Sequence, residues 1–207
     1  VPSKVIKLPK LQSLSLSPKL QIYKALLLKW AKVINLVSPS TLSDADSRHF
    51  IDSIQLIELI PEGTKELMDI GSGAGFPGLV IAIERRDVKV HLVESDTKKC
   101  SFLSTISRET NTPVVIHNCR VEAVDKVGHV NPDVITARAL ASLNELLEMT
   151  EAWWSKNQDL SLVLPKGVKA LEEIKEAQKN YRFQLKTVPS KTDDKAQILI
   201  ITQVEKL

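Results

Sequence analysis

From Pro18 onward, apolar residues recur at three- and four-residue steps: Leu20, Tyr23, Leu27, Trp30, Ala31 and Ile34. That period lines one face of a helix. Ser17 and Pro18 supply its cap and first turn. A second helical pattern starts around Ser43 or Asp44 and runs to about Ile60, with Phe50, Ile51, Ile54, Ile57 and Leu59 on its apolar face. Pro61-Glu62-Gly63 stops it. The stretch before Ser17, broken by Pro2 and Pro9, is expected to be extended or irregular.

The pattern then changes to short apolar runs alternating with helical ones. Strands are predicted over 65–70, 88–94, 114–117, 133–137 and 160–164. Helices are predicted over 77–86, 97–110, 142–155 and 168–181, with a short helical or irregular piece after Glu122. The last two runs, 183–188 and 196–203, are joined by 189–195 without a helix, which predicts an antiparallel pair. The fold class is therefore α/β, a Rossmann-like, seven-stranded, doubly wound sheet. Residues 1–62 form an N-terminal extension and helical cap, and residues 63–207 one compact sheet domain.

The first strand ends in Asp69-Ile70-Gly71-Ser72-Gly73-Ala74-Gly75-Phe76-Pro77-Gly78. A glycine turn between a strand and a helix lets a ligand approach bare backbone at the helix's free N–H groups. Glycines 73, 75 and 78 fit the dinucleotide fingerprint, and Glu94 lies roughly 20 residues on, as that fingerprint asks. Asp69 argues against a pyrophosphate. A carboxylate at the mouth of the turn repels phosphate and attracts a cation. S-adenosylmethionine carries a sulfonium and an ammonium, no phosphate, and a ribose for Glu94 to hold.

In open α/β sheets, ligands sit beyond the carboxyl ends of the strands. Those ends carry Asp69 and Gly71, Glu94, 118–122, Thr136 to Arg138, and Lys166. Glu94 either grips a ribose or pairs with Lys98 or Lys99. Val121, in Cys119-Arg120-Val121-Glu122, offers main-chain groups to an adenine, unless the segment is a plain connection. Arg138 either holds a base edge or phosphate, or makes a structural ion pair with a helix. Lys166 either contacts phosphate or is an exposed turn lysine. Arg48, His49 and Lys166 are the candidates for contact with RNA. His49 and Asp52 are three apart on one helix face, which favours a network fixing the cap beside the site over a catalytic dyad. Trp153 and Trp154 are expected to pack.

Composition adds bounds rather than direction. The 207 residues carry a net charge of +3, which permits a nucleic-acid partner without demanding one. Cys100 and Cys119 lack metal-ligand spacing and suggest thiols in a reducing compartment. No run is long and apolar enough for a membrane span, and the N-terminus does not have the pattern of a signal peptide.

At these motifs the chain resembles the bacterial small-subunit ribosomal RNA methyltransferases that modify guanine N7, the glucose-inhibited division protein B family. The matching pieces are Lys29-Trp30 with Asn35-Leu36, Arg48-His49 with Asp52-Ser53, and the block from Asp69 to Gly78. Glu94-Ser95 with Lys98-Lys99, Arg120-Val121-Glu122, Ala137-Arg138-Ala139-Leu140-Ala141-Ser142-Leu143 and Lys166-Gly167 follow in family order. The tail before Ser17 and the stretch 174–194 carry no family motif, and Thr136 stands where the family often has serine. The resemblance implies a class I, S-adenosylmethionine-dependent sheet and a cytoplasmic enzyme, expected to be a monomer. It implies 16S ribosomal RNA or the small ribosomal subunit as substrate. It also implies cofactor contacts at Gly71, Phe76, Val121, Glu122 and Arg138.

Guanine N7 has a free lone pair, so the expected chemistry is in-line displacement without a general base. Catalysis then rests on positioning and on excluding water. Asp69 and the glycine loop are expected to hold the methionine end, and Arg138 to place the guanine at O6 or a phosphate. Two other classes stay open on sequence alone: a small NAD-dependent reductase, and a non-catalytic ribosomal-RNA-binding factor on the same scaffold.

Overall fold

The computed structural model describes residues 16–38, 44–124 and 130–207. The expectations for residues 1–15, for a helix start at Ser43 and for part of the piece after Glu122 lie outside these. Helix α1 spans Pro18–Trp30, with Pro18 in its first turn. The Ser17 hydroxyl does not cap it but donates to Glu84 Oε1 at 2.7 Å. The second helix, α2, comprises a π-helical stretch Asp46–Ile51, one α turn Asp52–Ile54 and a 3-10 stretch Gln55–Leu59.

The alternating units follow as β1 Glu66–Ile70, α3 Gly78–Glu84, β2 Lys89–Val93, α4 Thr97–Glu109 and β3 Val115–His117. A 3-10 turn at Val121–Ala123 leads towards β4, Val134–Ala137. Then come α5 Leu143–Met149, α6 Glu151–Trp154, β5 Ser161–Lys166, α7 Ala170–Ala177, β6 Tyr181–Pro189 and β7 Gln197–Lys206. The seven strands form one sheet in the order β3-β2-β1-β4-β5-β7-β6. All pairs are parallel except β5–β7 and β6–β7. This is the expected topology.

The parallel strands read as near-continuous apolar runs because both faces are covered. Alternation sends Leu67 and Leu92 to a cluster with Tyr23 and Leu27 of α1, Phe50 of α2 and Leu79 of α3. Met68, Ile70 and Ile135 point the other way, to Leu146, Trp153, Trp154 and Ile174. The two N-terminal helices are thus built into the same core as the sheet.

Two predicted helices are shorter than their patterns. The one over 142–155 breaks at Thr150, whose hydroxyl donates back to Leu146 O at 2.7 Å. Ser142 begins it with a full capping box to Glu145. The one over 168–181 ends at Ala177, because Tyr181 is drawn into the sheet opposite Lys206.

Candidate active site

β1 neighbours both β2 and β4, so the chain reverses its winding there. Ligands in such sheets lie in the crevice at this point. The glycine turn fills it. Gly73 has φ +56° and its N–H donates to Glu94 Oε2 at 2.8 Å. The other oxygen of Glu94 accepts from Asp96 N–H at 2.8 Å. Glu94, 8 % exposed, therefore braces the turn from the end of β2. Neither Lys98 nor Lys99 pairs with it through a side chain among the described contacts; their N–H groups instead cap α4 on Asp96.

Asp69 corrects an expectation. It does not stand at the mouth of the turn. Strand alternation puts it on the α3 face, fully buried beneath the first turn of that helix. Its Oδ1 accepts from the Thr136 hydroxyl at 2.7 Å, one strand over. Gly78 is glycine because of it: a Cβ there would sit 2.6 Å from Asp69 Cβ and 2.6 Å from Leu92 Cδ2. Burial pushes the Asp69 carboxyl up to about 6, against the Thr136 and Ser72 hydroxyls that favour its charged form. The carboxylates that face the crevice are Glu94 and Glu122.

Phe76 stands at the centre of an aromatic column. Its ring stacks on Tyr23 at 5.2 Å and 9°, and on His49 at 5.0 Å and 23°. Phe50 meets it edge-on at 5.1 Å. The Tyr23 hydroxyl, fully buried, donates to Ala74 O and so ties α1 to the turn.

Arg138 extends from the end of β4 over this column, its guanidinium carbon 5.2 Å from the Phe76 centroid. Nη1 donates to Arg48 O at 3.1 Å and to Asp52 Oδ2 at 3.2 Å, and Nη2 lies 3.1 Å from His49 Nδ1. The helical ion pair and the His49–Asp52 network are the same structure, joined through Arg138. Burial, and then the Arg138 charge, lower the His49 ring to about 4. A neutral, buried ring offers no charge to phosphate, which corrects His49 as an RNA contact. Lys166 is corrected as well. Its ammonium, on a side chain 8 % exposed, donates to Ala141 O at 2.8 Å and Glu173 Oε2 at 2.7 Å, so it is a strut under the β4–α5 connection. Arg48 stays half-exposed, 3.5 Å from Asp193.

These elements enclose a cavity of about 610 Å³. Gly71, Gly73, Phe76, Glu94, Val121, Glu122, Arg48, His49 and Arg138 line it, as do Leu140 and Met149, which the sequence did not point out. A second cavity of about 280 Å³ opens on the other side of Arg138 and shares Arg48, Arg138 and Ala139 with the first. The β6–β7 loop closes it. That loop is latched to α2: Lys191 N–H donates to Gln55 Oε1 at 2.8 Å, and the Thr192 hydroxyl donates to Asp52 Oδ1 at 2.7 Å. Among the described residues, no three His, Cys, Asp or Glu side chains gather as a metal site, and no helix is long and apolar enough to cross a membrane.

The family model for GidB, rRNA small subunit methyltransferase G, matches residues 16–199. The chain belongs to this family. It is similar to ribosomal RNA small subunit methyltransferase G of Methylorubrum extorquens, 41 % identical over 91 % of this chain and 89 % of that one. The same enzyme of Paramagnetospirillum magneticum is 43 % identical over 91 % and 89 %. In fold it resembles the O-methyltransferase TomG of Streptomyces achromogenes in complex with S-adenosylmethionine, with TM-score 0.59, 10 % identity and 92 % of each chain covered. It also resembles a ribosomal protein L11 methylase of Lactobacillus delbrueckii, with TM-score 0.56, 17 % identity and 74 % and 77 % covered. Membership in the small subunit methyltransferase G family decides between the three classes. The chain is an S-adenosylmethionine-dependent methyltransferase acting on guanine N7 of 16S ribosomal RNA.

Proposed function

We propose that the larger cavity is the S-adenosylmethionine site of this methyltransferase and that Arg138 forms its boundary with the target base. The residues fit the group. A volume of about 610 Å³ lies within the range of small-molecule sites. The lining carries four cations, Arg48, Lys99, Arg120 and Arg138, and two carboxylates, Glu94 and Glu122; it is Glu94, bonded to the glycine turn itself, that suits a phosphate-free nucleoside there. Glu94 keeps lone pairs beyond its two backbone bonds for ribose hydroxyls, since a carboxylate accepts about four. Gly71 and Gly73 present backbone. Val121 and Glu122 form the wall for an adenine, and Phe76 the floor. Asp69 supports the site from below through Gly78 and Thr136.

When bound, S-adenosylmethionine supplies an electrophilic methyl group. The chain's residues then have to align the N7 lone pair and exclude water; no proton is removed, so no general base is needed. N7 becomes cationic as it is methylated. An arginine on N7 itself would oppose that, so Arg138 serves O6 or a phosphate. Its three partners on α2 hold the guanidinium in one place before the substrate arrives. Arg48, half-exposed at the rim, is the phosphate contact. Unstacked loop RNA is the substrate form, since A-form helices hide base edges. We further assign residues 1–62 as a cap on one compact unit 63–207, acting as a monomer in the cytoplasm.

The observation that carries this reading is the Gly73–Glu94–Asp96 brace opening into the larger cavity. Calorimetric titration of Val121→Trp and the parent protein tests it. The indole should fill the adenine wall and abolish S-adenosylmethionine binding while thermal unfolding stays cooperative. Undiminished binding would move the cofactor elsewhere. Methyl transfer to naked small-subunit RNA and to whole subunits then identifies the substrate form.

A further inference from the structure

The second cavity adjoins the larger one at the end of β4. It shares Arg48, Arg138 and Ala139 with the larger cavity, so the two adjoin beside the guanidinium. N7 and O6 share one edge of guanine, and the N1–H and N2 amino donors follow O6 on the adjoining Watson–Crick edge, turned away from N7. With N7 turned towards the larger cavity, those donors point into the second cavity. Two neighbouring N–H donors call for a carboxylate. Three carboxylates line this cavity: Asp52, Glu173 and Asp193.

Asp52 and Glu173 are the more enclosed, with side chains 19 % and 24 % exposed. Asp52 accepts from Thr192 and Gln55 on Oδ1 and from Arg138 on Oδ2. Glu173 Oε2 accepts from Lys166 and from Leu143 N–H. Asp193 is the most exposed of the three. Its Oδ1 accepts from Lys195 N–H at 3.0 Å, and its Oδ2 lies 3.5 Å from Arg48, with 39 % of the side chain exposed. Its loop is nevertheless held in place, because Lys191 and Thr192 are fastened to Gln55 and Asp52. A fixed loop that presents an exposed carboxylate to the cavity is what recognition of a donor pair requires.

We propose that Asp193 selects guanine by accepting from its N1–H and N2 amino group in the second cavity, releasing Arg48 to the RNA backbone as it does so. This rests on the assignment of the larger cavity to S-adenosylmethionine. Adenine, with an acceptor at N1 and no 2-amino group, would leave the carboxylate unmatched.

The test crosses a protein change with a substrate change. The methylated guanosine is first mapped on small-subunit RNA, then replaced by inosine, which lacks only the 2-amino group. With the parent enzyme, inosine should lower kcat/KM by about 10- to 100-fold, the range for a hydrogen bond to a charged group. Asp193→Ala should lower kcat/KM on guanosine by a similar factor, and inosine should then cost little more. Asp193→Asn, which keeps the loop geometry, should behave like Asp193→Ala. Calorimetry should show S-adenosylmethionine affinity unchanged in both variants, which establishes that they are folded. Equal fractional losses on both substrates, or full activity of Asp193→Ala on guanosine, would overturn the proposal. Absence of S-adenosylmethionine binding by the parent protein would instead overturn the assignment of the larger cavity.

Discussion

Nη2 of Arg138 lies 3.1 Å from Nδ1 of His49. A guanidinium has no acceptor, so it donates and the imidazole accepts. The arrangement needs a neutral ring, and burial beside the Arg138 charge lowers that ring to about 4, well below physiological pH. A helix of the cap thereby sets the direction of a side chain that the sheet delivers. The same guanidinium lies over Phe76, which belongs to the glycine turn. Cap, turn and fourth strand meet at one cation.

Arg138→Lys tests how much that convergence matters. An ammonium reaches one of the acceptors Arg48 O, Asp52 and His49 at a time, where the guanidinium reaches all three. Methyl transfer should fall by roughly 100-fold, the scale of a misplaced reacting group. S-adenosylmethionine affinity by calorimetry should change little. A variant with full transfer would remove Arg138 from the positioning of the base.

Glu94→Gln removes one acceptor from a carboxylate that serves two backbone donors. Whichever way the amide turns, its NH₂ faces Gly73 N–H or Asp96 N–H. The loss should be about 1.5–3 kcal/mol of stability by denaturant unfolding, as for hydrogen bonds to charged groups. S-adenosylmethionine binding should weaken at least as strongly, because the turn and the ribose site share the residue. Unaltered binding would separate Glu94 from the cofactor.

Two glycines of the turn should respond in different ways. Gly78→Ala drives a Cβ to 2.6 Å from both Asp69 Cβ and Leu92 Cδ2, so a helix must shift off the sheet, and we expect failure to fold or a severe loss of Tm. Gly73→Ala meets only Gly71 O at 3.8 Å, and its cost is the left-handed backbone, φ +56°, about 1–2 kcal/mol. It should fold, with thermal unfolding near the parent's, and lose S-adenosylmethionine affinity to a methyl group placed on the cavity wall.

Acid should unfold the protein through its histidines. His91 and His117 pack at 2.9 Å between Nδ1 and Nε2, and His91 is buried. Burial lowers both rings, His91 to about 4, as it does His49. Groups with folded values below 6.5 contribute stability that is whole above pH 6.5 and lost as pH falls towards 4. Asp69 acts oppositely. Its raised carboxyl favours the folded state at low pH and loses that contribution as pH rises from about 4 to 6. Three histidines outweigh one aspartate, so stability by denaturant titration should decline from pH 6.5 to 4. His91→Gln should flatten the slope, and Asp69→Asn should steepen it. An unchanged slope in His91→Gln would place the acid lability elsewhere.

Much of the sheet was legible because the inner parallel strands β1, β2, β4 and β5 are buried on both faces and read as near-continuous apolar runs. The antiparallel end followed from the missing helix between 189 and 195. Helix lengths were less legible: a hydroxyl at Thr150 and a sheet partner for Tyr181 ended two helices whose apolar periods ran on. In the site, the glycine turn, Glu94, Val121 and Arg138 were placed together by one topological rule, that strand ends share a rim. Which way each side chain faced was another matter. Asp69 and Lys166 stand at that rim in the sequence, yet one is folded under α3 and the other is spent on Glu173.

The order of apolar runs and turn residues by itself determined the α/β sheet and the crevice in which the cofactor is placed, because strand period and glycine turns are local properties of the chain; the ordered motifs carried the family resemblance. Only the tertiary structure decided which charges remain available. Burial and pairing depend on residues far away in sequence: His49 with Arg138, Gln55 with Lys191, and Asp52 with Thr192. A carboxylate's freedom to bind a ligand is what its neighbours leave over, and no local pattern records those neighbours.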